Sequence, residues 1–223
     1  MNTVRTRSPL SDLGPIEQLR AGRLTRRLTQ LLVGLICYGV SLAMMMLGGL
    51  GLAPWDVLHS GLARHLPLTI GQVLIAVSFA VLILWIPLRE QPGLGTVANA
   101  VVIGITADAT LAWLAAPDWL PARVGLSFGG VALCGLATAL YIGAQFGRGP
   151  RDGLMTGLHR RTGLSLRLVR TALEIVVLLT GVALGGAAGI GTVVFALAIG
   201  PLTQAMLPAC TVALEPDALR QTP

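Results

Sequence analysis

The chain has 223 residues, of which 54% are apolar and only 12% charged, with a mean hydropathy of +0.76; soluble domains carry about 25% charged residues. That length accommodates about six bilayer spans of roughly 20 residues each and leaves no room for a separate soluble domain. The net charge of +6 rests on 16 arginines and no lysine, and these arginines flank apolar runs instead of forming one soluble basic face, which excludes a nucleic-acid binder.

In chain order, residues 1–14 are polar, with Pro and Ser, and are expected to be disordered. Residues 15–30 read as a basic amphipathic helix on anionic lipid or as a plain topology anchor, closing a basic cytoplasmic segment over 1–30. Six apolar stretches follow, at 31–52, 70–88, 94–116, 124–146, 168–184 and 190–208, each near the length of a bilayer span. The fifth is interrupted by Arg170 and Glu174. With both termini in the cytoplasm, 14 of the 16 arginines lie inside and only Arg64 and Arg123 outside, an asymmetry that sets the orientation as N-in, C-in.

The second half repeats the first. Shifted by 96 positions, 34–111 falls on 130–207 without a gap, with 25 identities in 78 pairs. The repeats occupy 31–116 and 123–209, with 210–223 as a short cytoplasmic tail. Each unit holds three spans, so the second enters the membrane from the opposite side. The expected fold is all-α: six transmembrane helices as a 3+3 inverted-topology repeat, with short amphipathic or re-entrant helices after spans 1 and 4. Inverted repeats are a hallmark of secondary transporters.

Two motifs occur twice in register. Pro-x-Asp-x-Leu-x-[Ser/Thr]-Gly-Leu-x-Arg spans 54–64 and 150–160; proline suits a first helical turn, and Asp56 and Asp152 would then sit at the positive helix end, as caps or as gate and ligand groups. Gly-x-Gly-Thr-Val, at 93–97 and 189–193, starts spans 3 and 6; it suits close helix packing, or a helix end with Thr96 and Thr192 facing a substrate. Ionisable and polar groups within spans are functional candidates by default: Asn99 and Asp108 in span 3, and Gln204 in span 6. Asp108 could carry a proton in a coupled transporter or sit near the outer interface. Arg170 and Glu174, four apart, are expected to pair with each other.

No nucleophile–base pair, phosphate loop or metal spacing is visible, so neither an enzyme nor a cofactor is expected. Cys37, Cys134 and Cys210 read as buried apolar side chains. The run Gly51-Leu-Ala-Pro54-Trp55-Asp56-Val-Leu, with Gly61-Leu and then Gly-x-Gly-Thr-x-x-Asn at 93–99, resembles the YczE/YyaS/YitT group of bacterial integral membrane proteins. The resemblance implies a multi-span plasma-membrane protein and transfers no catalytic residue. In the second copy Trp55 becomes Arg151 and Asn99 becomes Phe195, so the halves are not equivalent.

The expected function is that of a small secondary transporter or exporter of an unidentified small molecule or ion. Its pathway would run between the halves, lined by Asn99, Asp108 and Gln204 and gated by the Asp56 and Asp152 elements. The rival is a non-transporting scaffold for another complex, docked through the arginines of 148–161. The bilayer and a possible second copy are the expected partners.

Overall fold

A computed structural model describes residues 14–214. Among them it is all helical, with no strand: α1 (Pro15–Arg20), α2 (Leu24–Gly48), α3 (Pro54–Ala63), α4 (Ile70–Leu88), α5 (Leu94–Trp113), α6 (Leu120–Gly143), α7 (Pro150–Thr162), α8 (Leu166–Ala183) and α9 (Ile190–Cys210). Five of these, α2, α4, α5, α6 and α9, are long and apolar enough to cross a bilayer. The fifth expected stretch forms α8, whose 18 residues include Arg167, Arg170 and Glu174 and set it apart from those five. The disorder expected for 1–14 and most of the tail, 215–223, lie outside the described residues, except Gly14.

The single helix expected over 15–30 does not form. α1 stops at Arg20, and Gly22 (φ 78°) and Arg23 (φ 50°) turn the chain before α2 starts at Leu24. The cause is Arg27, which is fully buried instead of lying on lipid. Its guanidinium donates to the carbonyls of Gln18 (2.6 Å), Ala144 (2.9 Å) and Gln145 (2.8 Å) and stacks on Phe146 at 4.3 Å. Residues 24–30 therefore belong to the first long helix. The beginning of the tail also packs inward: the Val212 amide donates to Gly143 at 3.0 Å, and its carbonyl accepts from Gln145 at 2.7 Å.

Contacts recur at the 96-residue offset. α2 and α6 pack along each other at the centre, α5 lies on α2 and α9 on α6, while the short helices cross over, α3 onto α8 and α7 onto α4. Individual bonds recur too. Gly95 donates its amide to Phe146 at 2.8 Å, and Gly191 donates to Leu50 at 2.7 Å. Arg27 Nε caps the α6 end at Ala144, and Arg123 Nε caps the α2 end at Gly48, at 3.1 Å. A cation there satisfies free carbonyls and opposes the negative helix end.

Arg27→Ala leaves three buried carbonyls without a donor and should cost about 2–3 kcal/mol, a lower melting temperature by scanning fluorimetry in detergent. Arg123→Ala, at a half-buried cap, should cost about 1 kcal/mol. Equal melting of Arg27→Ala and the parent protein would refute the capping role.

Candidate functional site

Pro54 opens α3 and Pro150 opens α7, each at the first helical position, where its missing N–H has no partner to lose. α3 does not lie on a surface: Pro54, Trp55, Asp56, Val57, His59, Ser60 and Gly61 are all buried. Each helix is held by the other half. Gly153 faces the Trp85 ring on the α4/α7 contact, and at the equivalent α3/α8 contact Gly181 faces the backbone of Val57 and Leu58. The motif arginine of α7, Arg160, caps α4 by donating to Leu88 at 2.8 Å and bridges Glu90 at 3.1 Å.

The first turns of α3 and α7 meet. Arg151 bridges Asp56 at 3.3 Å and lies over the Trp55 ring at 5.2 Å. Around them is a cavity of about 110 Å³. Its walls contain seven pairs of residues related by the 96-residue offset: Ala53 and Gly149, Pro54 and Pro150, Trp55 and Arg151, Leu74 and Arg170, Ser78 and Glu174, Asn99 and Phe195, Ile103 and Ile199. The cavity thus sits where the two copies of one sequence face each other. Substitution between copies put one opposite-charge pair, Arg170 and Glu174 at 3.0 Å, where the first copy has Leu74 and Ser78.

Neither motif carboxylate acts as a simple cap. Asp56 Oδ1 accepts from His59 Nδ1 at 3.1 Å and from Arg151, while its Oδ2 is buried with no partner. Asp152 accepts from the Tyr141 hydroxyl at 2.7 Å. The Trp55 indole N–H is likewise buried without an acceptor. Unpartnered buried polar atoms are costly unless water or a ligand completes them.

The remaining candidates separate. Asn99 lines the cavity. Asp108 does not; it accepts from the Thr69 hydroxyl and, at 2.8 Å, from the Gly71 amide, and so fastens the start of α4. Gln204 is exposed on α9. Thr96 is buried, accepts from Gly93 at 3.0 Å and donates to Arg148 at 2.6 Å, and Thr192 accepts from Gly189 at 3.2 Å. Both threonines brace helix starts instead of facing a solute. Arg170 and Glu174 form the expected pair and also line the cavity.

Sequence reasoning missed Arg151, Trp55, Tyr141 and His59 as site residues. The signal for Arg151 was present: it stands where Trp55 stands in the first copy. Among the described residues no group of acidic, His and Cys side chains could hold a metal ion.

A family model described as a family of unknown function, DUF6198, matches residues 25–208. The chain belongs to that family. An uncharacterized protein of Haemophilus influenzae is 42% identical over 177 residues, covering 79% of this chain and 81% of that protein. The uncharacterized membrane protein YczE of Bacillus subtilis is 32% identical over 188 residues, covering 83% and 87%, and YyaS of the same organism is 27% identical over 180 residues, covering 79% and 90%. No solved structure matches. With its apolar helices, the likeness to YczE identifies a multi-pass membrane protein and bears out the resemblance read from the Pro54–Asp56 and Gly93–Asn99 runs.

Asp56→Ala should leave the Arg151 and His59 donors without an acceptor and destabilise the protein by about 3–5 kcal/mol. The pair Asp56→Asn with Arg151→Gln should recover part of that loss. A double-mutant cycle in detergent melts reads the coupling, and additive single effects would contradict the contact.

Proposed function

We propose that the chain is a small secondary transporter of the bacterial inner membrane, built as a 3+3 inverted repeat with both termini in the cytoplasm and its solute site in the cavity between α3 and α7. α8 is then the sixth span, with the Arg170–Glu174 pair turned toward the cavity. Transporters of this architecture place solutes near the midplane, at the ends of short or broken helices.

The observation that carries the reading is the cavity itself. It is walled by equivalent residues of both repeats, it receives the first turns of α3 and α7, and it is lined by Trp55, whose indole N–H is left without a partner, and by Arg151, which bridges the buried Asp56. A site shared by two halves that pack alike can be presented to either face by rocking one half on the other. The scaffold reading would dock through the arginines of 148–161, and several of these make contacts within the chain. Arg151 reaches Asp56, Arg160 reaches Leu88, and Arg161 donates to Pro87 at 2.9 Å.

Proteoliposomes of the full chain, challenged with amino acids, amines and organic acids on a solid-supported membrane, test this. At least one solute class should produce a current, and Asp152→Asn and Asn99→Leu should each reduce it by about tenfold or more. Asp108→Asn should melt lower yet keep its current, because Asp108 fastens α4 outside the cavity. Absence of current for every class, or full current in Asp152→Asn, would overturn the reading.

A further inference from the structure

The halves differ most in one contact that the repeat should have preserved. α4 packs closely along α5, whereas their counterparts α8 and α9 show no comparable packing. The cause lies in two positions. In the first half Gly71 and Gly104 bring the backbones together so tightly that a Cβ on Gly71 would lie 2.1 Å from the Gly104 carbonyl oxygen. Asp108 reinforces the junction through Thr69 and Gly71. In the second half Arg167 replaces Gly71, and a Cβ on Gly200, the counterpart of Gly104, would meet nothing within 4 Å. An arginine cannot repeat the glycine contact, so the helices part toward the N-terminal end of α8.

This gap borders the cavity. Arg170 and Glu174 line it from α8, and Phe195 and Ile199 line it from α9. The side chains of Arg170 and Glu174 are 52% and 29% exposed. Lipid-facing charges are expensive in a bilayer unless they meet polar partners. At the gap, therefore, one wall is charged with both signs and the other is apolar.

We propose that the cavity opens sideways into the bilayer between α8 and α9, and that it receives the small zwitterionic headgroup of a membrane amphiphile whose chain stays in the cleft. This deepens the reading of the cavity as a solute site and rests on it. Three features favour that occupant. Arg170 with Glu174, and Arg151 beside Asp152, offer a cation and an anion together, which matches a zwitterion and disfavours a lone ion. The volume of about 110 Å³ is below the ~150 Å³ void that accepts benzene and well below the roughly 300–1,000 Å³ of a drug-sized site, so only the charged end of a headgroup enters and the rest of the amphiphile stays outside. Phe195 and Ile199 of α9 stand in the lining beside Arg170 and Glu174 of α8, so an alkyl chain leaving between these helices has an apolar wall to follow.

The test uses the full chain in phosphatidylglycerol nanodiscs with a trace of chain-nitroxide phosphatidylethanolamine or phosphatidylglycerol, read by electron paramagnetic resonance. The ethanolamine lipid should show a motionally restricted component about fivefold larger than the glycerol lipid. Gly200→Trp, placed in open space and checked for parent-like melting, should abolish that component. Glu174→Gln should reverse the preference toward phosphatidylglycerol by freeing Arg170, a change that a merely structural role would not produce. Equal restriction of both lipids, or restriction unchanged in Gly200→Trp, would overturn the proposal. So would displacement by an equal concentration of soluble phosphoethanolamine, or restriction seen only in discs holding two copies. The readout is binding, so a protein that restricts the lipid but passes no current would sink transport and leave the opening standing. A protein that passes current without restricting the lipid would do the reverse.

Discussion

Two main-chain hydrogen bonds hold the halves of this molecule to each other: Gly95 N–H to Phe146, and Gly191 N–H to Leu50. Each joins the first turn of a long helix to the loop that precedes the short helix of the other half. Glycine is required at both sites, because a Cβ on Gly95 would lie 2.7 Å from the Phe146 oxygen, and one on Gly191 would lie 3.0 Å from that of Leu50. In a bilayer an unpaired amide or carbonyl costs several kcal/mol, so the two bonds fix the loops firmly. Gly51 and Gly147 follow in those loops with φ of 121° and 99°, a turn that L side chains rarely adopt. The turn aims Pro54 and Pro150 inward, and the cavity follows from where they point.

On that frame, differences between the copies created the chemistry. The replacement of Trp55 by Arg151 lets an arginine of one half stack on the tryptophan of the other and bridge Asp56. Replacement of Leu74 and Ser78 by Arg170 and Glu174 makes one wall of the cavity charged. Replacement of Gly71 by Arg167 separates α8 from α9. Gene duplication accounts for the shape of the site, and three departures from it account for its polarity and its open side.

Much of the helix layout was legible because it rests on local rules. α4 matches the expected stretch at both ends, since Thr69 and Gln72 form a capping box at its start and the chain turns left-handed at Arg89. Asn99 was legible as a pathway candidate because it is a polar side chain within an apolar span, and it lines the cavity. Arg27 was illegible, because an arginine before an apolar run reads as an interface anchor until the carbonyls of Gln18, Ala144 and Gln145 come into view. The choice between Asp108 as a proton carrier and Asp108 near the outer interface stayed open in the sequence for a related reason: its partners, Thr69 and Gly71, lie 39 and 37 positions away. His59 carried no metal spacing, and only folding shows it oriented by Asp56.

The proposed inverted arrangement puts equivalent loops of the two halves on opposite faces of the membrane. Gln91 and Ala187 are equivalent loop positions, 96 apart, and both are exposed. Single cysteines at these positions, in a chain with Cys37, Cys134 and Cys210 replaced, can be labelled with a membrane-impermeant maleimide in intact and in lysed spheroplasts. An inverted arrangement labels position 187 in intact spheroplasts and position 91 only after lysis. Labelling of both from the same side would contradict it.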